Sequence, residues 1–189
     1  MLHPWQGSAV AAGATVRTVH VELSDVERGV YEALDLRVAQ HPSESLRYLW
    51  SRILGYCLSY EDGIQFSKGG LSSTEEAPIA VWRSDGTLDT WIDVGSPSAE
   101  RLHKASKAAR RVVVYSSALA ALRKEATRRA IHRADTIEVW SLPTELLDDL
   151  GARTSRSMKL ELVRSEGHLY ATVDGEVSEA NIESTRLVP

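Results

Sequence analysis

The sequence predicts an α/β protein of the α+β kind, a mixed β-sheet with flanking helices. Three observations predict it. Short runs of alternating or wholly apolar residues, rich in Val, Ile and Thr, recur from Val16 to Val173. Stretches with apolar residues spaced by three and four lie between them. Gly, Asp, Pro and Ser clusters separate the two kinds of run. Extended and helical periods that alternate along one chain imply helices packed on a sheet.

Val16–Leu23 alternates and predicts a strand, and Val30–Ala39 alternates again across the turn at 24–29, predicting its antiparallel partner. A helix is predicted over 43–59. Leu46, Leu49, Trp50, Ile53, Leu54, Cys57 and Leu58 form its apolar stripe, and Pro42 or Ser43 supplies its start. Ile64–Phe66 is a short strand and 67–77 a loop. Ile79–Ser84 and Thr87–Val94 are strands joined by Asp85-Gly86, a pair suited to a two-residue type I′ turn because both central positions need positive φ. A helix follows over 97–110. Val112–Tyr115 reads as a strand buried on both faces. A basic helix is predicted over 118–133, with Leu119, Leu122, Ala126 and Ala130 on its apolar side. A strand at 136–140, a helix at 143–150 ended by Gly151, and a hairpin of 158–163 with 168–173 complete the pattern. The last dozen residues read as weakly structured.

A chain of 189 residues with 43% hydrophobic and 25% charged side chains can enclose one core and is too apolar to be disordered. Residues 15–189 read as a single domain and 1–14 as a flexible N-terminal tail. That tail lacks the positive start and apolar centre of a signal peptide. No apolar run approaches the roughly 20 residues that span a bilayer. The expectation is a cytoplasmic protein without a membrane partner. The one cysteine, Cys57, excludes an internal disulfide and any cysteine-built zinc or iron–sulfur site within one chain, and its place on an apolar stripe reads as core. The GxxxxGK[ST] phosphate loop, the HExxH zinc pair and the GxSxG elbow are absent. Trp50, Trp82, Trp91 and Trp140 fall in predicted core elements, which favours packing over base stacking.

The net charge of −4 argues against a protein basic over its whole surface, but it hides an uneven distribution. Residues 60–100 carry eight acidic and two basic side chains, whereas 101–133 carry ten basic and one acidic. Two readings fit: solvated surfaces of opposite sign, or a carboxylate site beside a surface that attracts phosphate.

The predicted hairpin sharpens the second reading. With a two-residue loop Ser84 faces Thr87, Ala80 faces Trp91 and Pro78 faces Asp93. Glu76, Pro78, Trp91 and Asp93 then share one face. The Cβ atoms of Glu76 and Asp93 become diagonal neighbours roughly 7 Å apart, a gap that one divalent metal with carboxylate ligands bridges. A one-residue bulge would put Glu75 in the place of Glu76. Asp93 lies in what reads as an interior strand, where an unpaired charge is costly. It therefore has a salt bridge to a nearby Arg, or a metal or catalytic role. Lys104, Lys107 and Arg111 follow at i, i+3 and i+7 on one predicted helical face. A lysine there can orient an attacking water or stabilise charge developing on a phosphate. For Lys107 the plainer reading is a solvated face.

Several short motifs occur in a fixed order. They are His41-Pro42-Ser43-Glu44 at a helix start, Phe66 followed by Lys68-Gly69, Glu75-Glu76-Ala77-Pro78, Trp91-Ile92-Asp93-Val94-Gly95 before Pro97, and Arg101-x-x-Lys104-Ala105. As an ordered set, spread over about residues 16–175, they resemble the bacterial YaeQ family. That family is similar in fold to the PD-(D/E)XK nuclease superfamily, whose restriction-endonuclease-like αβββαβ core carries its metal-binding acids on a central hairpin. The resemblance implies such a core here, with extra β-hairpins. It implies Glu76 and Asp93 as metal ligands for Mg²⁺ or Mn²⁺, Glu44 as an accessory acid, and Lys104 as a catalytic lysine moved from the strand to the next helix. Two departures stand out. Ala77 takes the place directly before the proline where the family tends to have an acid, and Gly95 takes the place of the usual strand lysine.

Two functions are expected on this basis. The first is a metal-dependent nuclease or other phosphodiester hydrolase that uses Glu44, Glu76, Asp93 and Lys104, with Lys104, Lys107 and Arg111 holding nucleic acid. The second is a nuclease-like module that does not cleave and binds nucleic acid or a protein partner.

Overall fold

The computed structural model describes residues 13–67 and 76–188. Strands β1 (Thr15–Asp25) and β2 (Val30–Gln40) form the expected antiparallel pair, in register from Thr15 opposite Gln40 to Asp25 opposite Val30. Then come α1 (Leu46–Leu58), β3 (Ile64–Phe66), β4 (Ile79–Trp82), β5 (Leu88–Val94), α2 (Ala99–Ala108) and β6 (Arg111–Ser116). The rest is α3 (Leu119–Arg128), β7 (Glu138–Ser141), α4 (Thr144–Ala152) and the hairpin β8 (Ser157–Ser165) with β9 (His168–Val173). Up to this point the order of elements is the one the periodicity predicts, and from α1 to β6 it reads αβββαβ. Two more strands follow, β10 (Glu176–Asn181) and β11 (Ser184–Arg186), most of them in the last dozen residues, which were expected to be weakly structured. Their polar sequences show little alternation. They are strands because each adds to an edge that already exists, β10 beside β9 and β11 beside β7. The predicted N-terminal tail lies outside the described residues except for Gly13 and Ala14. Among the described residues, no helix is long and apolar enough to cross a membrane.

The strands make two mixed sheets rather than one, ordered β10-β9-β8-β1-β2 and β11-β7-β6-β5-β4-β3. Helices α1 and α4 fill the space between them. Val19, Val21 and Leu23 of the first sheet, Leu49 and Ile53 of α1, Leu146 and Leu150 of α4, and Ile79, Ile92 and Val113 of the second sheet belong to one apolar cluster. On the far face of the second sheet, Trp91, Val112 and Val114 pack with Leu102 and Ala105 of α2 and Leu122 of α3. The second sheet is thus covered on both faces, which is why Val112–Tyr115 is an unbroken apolar run. The first buries one face, so β8 alternates buried and exposed residues. Each Leu or Ile buried in this way contributes about 1.5–3 kcal/mol, and the α1 stripe alone is enough to seat that helix.

Several boundaries differ from the sequence expectation, each for a local reason. Helix α1 starts later, because Ser45 is its cap and accepts from the Tyr48 N–H at 3.2 Å. Residues 41–44 form a turn instead, closed by Glu44 N–H donating to His41 O at 2.9 Å. Helix α2 ends at Ala108, so Arg111 lies on β6 and does not share a helical face with Lys104 and Lys107. Helix α3 stops at Arg128. Arg133, at φ 48°, donates to the carbonyls of Ser106 and Ala109 and so turns the chain back onto the end of α2. Gly151 does not end α4, which runs through it to Ala152 with Arg153 as its cap.

The β4–β5 turn also departs from expectation. Arg83 N–H donates to Thr87 O at 2.9 Å, so the connection spans Ser84-Asp85-Gly86, with Gly86 at φ 82°. Asp85 accepts from the Thr87 N–H and hydroxyl, which fixes this longer loop. A bulge then offsets the extra residue. Trp82 faces Leu88 but Val81 faces Thr90, leaving Asp89 without an opposite number. Beyond the bulge Ala80 faces Trp91 and Ile79 faces Ile92, the pairing that the simpler turn predicts.

Candidate functional site around Asp93

Strand alternation puts Ile92 and Val94 against α1 and puts Trp91 and Asp93 on the opposite face, toward α2. Asp93 is only 2% exposed. Both its oxygens are engaged. Arg101 Nε donates to Oδ2 at 2.7 Å and to Oδ1 at 2.9 Å, and Trp91 Nε1 donates to Oδ2 at 2.9 Å. Arg101 stands in the first turn of α2, where the cap Ser98 accepts from its backbone N–H. Its guanidinium carbon lies 5.5 Å from the Trp91 ring centroid, and its Nη2 donates to the Glu76 carbonyl at 2.8 Å. Burial pushes the Asp93 carboxyl above its ordinary value, against the pull of the Arg101 charge and the hydrogen bonds from Arg101 and Trp91.

Glu44 makes a second buried pair. Arg52 Nε donates to its Oε1 at 2.8 Å and Nη2 to its Oε2 at 3.0 Å, while His41 N–H also donates to Oε2. Arg52 Nη2 reaches on to the Ala39 carbonyl, so the pair ties the start of α1 to the end of β2. Tyr48 stands between the two ion pairs. Its phenol is pushed up to about 12, first by burial and then by the Asp93 charge. Its ring faces Gly95, where an added Cβ would lie 3.5 Å from Tyr48 Cδ2. Gly95 has φ 77° and donates its N–H to the Tyr115 carbonyl at 2.8 Å. The left-handed backbone explains why a strand lysine does not occupy this position. Sequence reasoning singled out neither Tyr48 nor Arg52. The available signal was Arg52 standing next to Ile53 of the apolar stripe, one turn after Leu49.

The other predicted residues are spread around this centre. The Glu76 carboxylate is exposed and accepts from the Ser67 hydroxyl at 2.9 Å. Glu75, the alternative acid, lies outside the described residues. Lys104 is half-buried on α2, in the turn after Arg101, and Lys107 is exposed at the end of that helix. Arg111 pairs with Glu138 at 3.0 Å. A cluster missed by sequence reasoning surrounds the bulge residue Asp89, which pairs with Arg110 at 2.9 Å and with Arg83 at 2.6 Å.

These contacts also bear on a metal. Among the described residues, no group of three or more His, Cys, Asp or Glu side chains is placed to hold an ion. Arg101 and Trp91 take up the Asp93 oxygens, the Glu76 carboxylate is engaged by the Ser67 hydroxyl, and it is the Glu76 backbone carbonyl that meets Arg101. As arranged, an ion at Asp93 would have to displace Arg101.

A family model described as YaeQ protein matches residues 10–182. The chain belongs to the YaeQ family. It is 27% identical to the uncharacterized protein YaeQ of Escherichia coli (strain K12) over 176 residues, covering 92% of this chain and 96% of that protein. Over 164 residues it is 27% identical to YaeQ of Salmonella typhi, covering 85% and 90% of the two chains. The crystal structure of YaeQ from Pseudomonas syringae superposes with a TM-score of 0.82 at 28% identity, over 92% of this chain and 97% of that one. That from Xanthomonas axonopodis pv. citri gives 0.83 at 30% identity, over 93% and 99%. The fold is therefore that of YaeQ proteins along almost the whole chain.

Proposed function

We propose that this YaeQ-family chain is a nucleic-acid-binding module on a nuclease-like scaffold, with its buried carboxylates held as ion pairs. The observation that carries this reading is the grip of Arg101 on both Asp93 oxygens, which commits the hairpin acid to a protein cation. The Glu44–Arg52 pair supports it in the same way. The cationic side is supplied by α2, which carries half-buried Lys104 and exposed Lys107, and by α3, which carries exposed Lys124. Surface pairs such as Arg111–Glu138 are weak enough to open toward phosphate. The test is binding of labelled DNA and RNA at low salt. Neutralising Lys104, Lys107 and Arg111 together weakens binding in a salt-dependent way on this reading; no measurable binding to either nucleic acid overturns it.

A second reading is a phosphodiester hydrolase using Mg²⁺ or Mn²⁺ at Glu76 and Asp93, with Lys104 and Glu44 assisting. One observation favours it: the Asp93 carboxylate is held against its own desolvation, and a divalent cation would stabilise it further. It requires Arg101 to swing away. Calorimetric titration of both metals into wild type and Asp93→Ala separates the readings, because only a metal centre gives heat that the variant loses.

A further inference from the structure

A recess of about 500 Å³ opens on the outer face of β3, β4 and β5, beside the Asp93 unit. The register of the sheet builds it. Gln65, Ala80 and Trp91 lie directly across from one another on three neighbouring strands and form its floor. The small Ala80 in the middle makes the hollow. Trp82 and Leu88, also opposite each other, line one end, and Glu76 lines the other. Helix α2 packs on the same face of the sheet, over β5 and β6. Trp82 was expected in the core, yet it is 41% exposed. It is a large indole left on the wall of a hollow whose lining also includes Gln65 and Glu76. The recess also adjoins the Asp93 unit directly. Its floor residue Trp91 donates its indole N–H to Asp93, and its end residue Glu76 receives Arg101 on its carbonyl.

We infer that this recess receives one nucleobase of a single-stranded nucleic acid. The inference rests on the nucleic-acid reading and adds to it the part of the ligand that is recognised. The volume is in the range of small-molecule sites and exceeds what a base needs. The base stacks on the Trp82 indole, as any base can on an aromatic face. Its polar edge meets the Gln65 amide, which both donates and accepts, and the Glu76 carboxylate, which accepts from an amino or ring N–H. The sugar-phosphate chain leaves the recess toward Lys104 and Lys107. Base-paired duplex is a poorer ligand, because its bases are already stacked.

The test compares two labelled strands of about a dozen nucleotides. One is an ordinary DNA strand and the other carries an abasic sugar at every position, so both present the same phosphates. Wild type binds the ordinary strand about tenfold more tightly than the abasic one. Trp82→Leu removes that preference and leaves abasic binding unchanged, while Trp82→Tyr keeps most of it. Circular dichroism and the urea midpoint check that each variant is folded; where Trp82→Leu is not, Gln65→Ala takes its place and reduces the preference. Equal binding of the two strands by wild type overturns the base recess and leaves the nucleic-acid reading standing. A preference that survives in folded Trp82→Leu also overturns it. Binding of neither strand at low salt overturns both.

Discussion

Arg101 holds Asp93 by sharing Nε between its two oxygens, at 2.7 and 2.9 Å, while its Nη2 reaches the Glu76 carbonyl. One side chain thereby fastens the first turn of α2 to the end of β5 and to the segment that enters β4. The same pattern recurs between the two charge blocks of the sequence. Asp89 pairs with Arg110, and Glu100 with Arg129. Three acids of the acidic run, Asp89, Asp93 and Glu100, are therefore the counter-charge of arginines in the basic run that follows it.

Removing Arg101 leaves a buried carboxylate without its cation. Arg101→Met is expected to lower stability by about 3–5 kcal/mol, and a double variant with Asp93→Leu to recover most of that loss. Urea denaturation of the three proteins measures this. A single variant within about 0.5 kcal/mol of wild type would show that Asp93 does not depend on Arg101.

Asp89 provides the pH dependence. Hydrogen bonds from Arg110, then from Arg83, hold its carboxyl well below the usual carboxylate range. A carboxyl depressed in the folded state stabilises the fold above its unfolded pKa of about 3.9 and loses that contribution as pH falls toward its folded value. Asp89→Asn is thus less stable than wild type at neutral pH, and the gap narrows below about pH 4. Denaturation midpoints of the two proteins across that range check the sign. A gap that stays constant with pH would rule the linkage out.

Gly95 tests why the strand lysine is missing. Its φ of 77° is a conformation that disfavours side chains, and its Cβ would touch Tyr48. Gly95→Ala should cost about 1–2 kcal/mol. Gly95→Lys should cost at least as much and create no metal-dependent cleavage. Thermal melts and a nuclease assay read both outcomes, and an unperturbed melting temperature for Gly95→Ala would contradict the backbone argument.

Lys107 and Lys124 are exposed, so their replacement is expected to spare the fold. The double variant to Ala should keep its stability within about 0.5 kcal/mol. It should also reduce the salt slope of nucleic-acid binding by about one for each lysine that meets a phosphate. Unchanged slope with weaker binding would place those lysines off the phosphate path.

Much of this architecture was legible because hydrophobic period reports burial directly. The stripe on α1, the alternation of β1, β2, β8 and β9, and the apolar β6 each match one buried face or two. The legible part of the site was Asp93 itself, since a carboxylate within an apolar strand must have a partner. Its partner was not legible. Arg101 was one of ten basic residues in its segment, and only the placement of α2 across β5 selects it. Tyr48 escaped notice because it looks like an ordinary helix residue until the end of β5 is brought beside it, and Arg52 until Glu44 and the end of β2 are.

The sequence by itself determined the order of elements up to β9, the need of Asp93 for a partner, and the YaeQ resemblance carried by its ordered motifs. Those are local properties: period, turn chemistry and residue type at fixed spacing. The tertiary structure alone decided that the strands divide into two sheets, that β10 and β11 are strands, and that Arg111 faces Glu138 instead of joining Lys104 on a helix. It also decided that Trp82 is left on the wall of a recess. Such outcomes depend on which edges and charges meet across long separations in the chain. Contacts of that kind add free energy only once the packed core has brought their partners together.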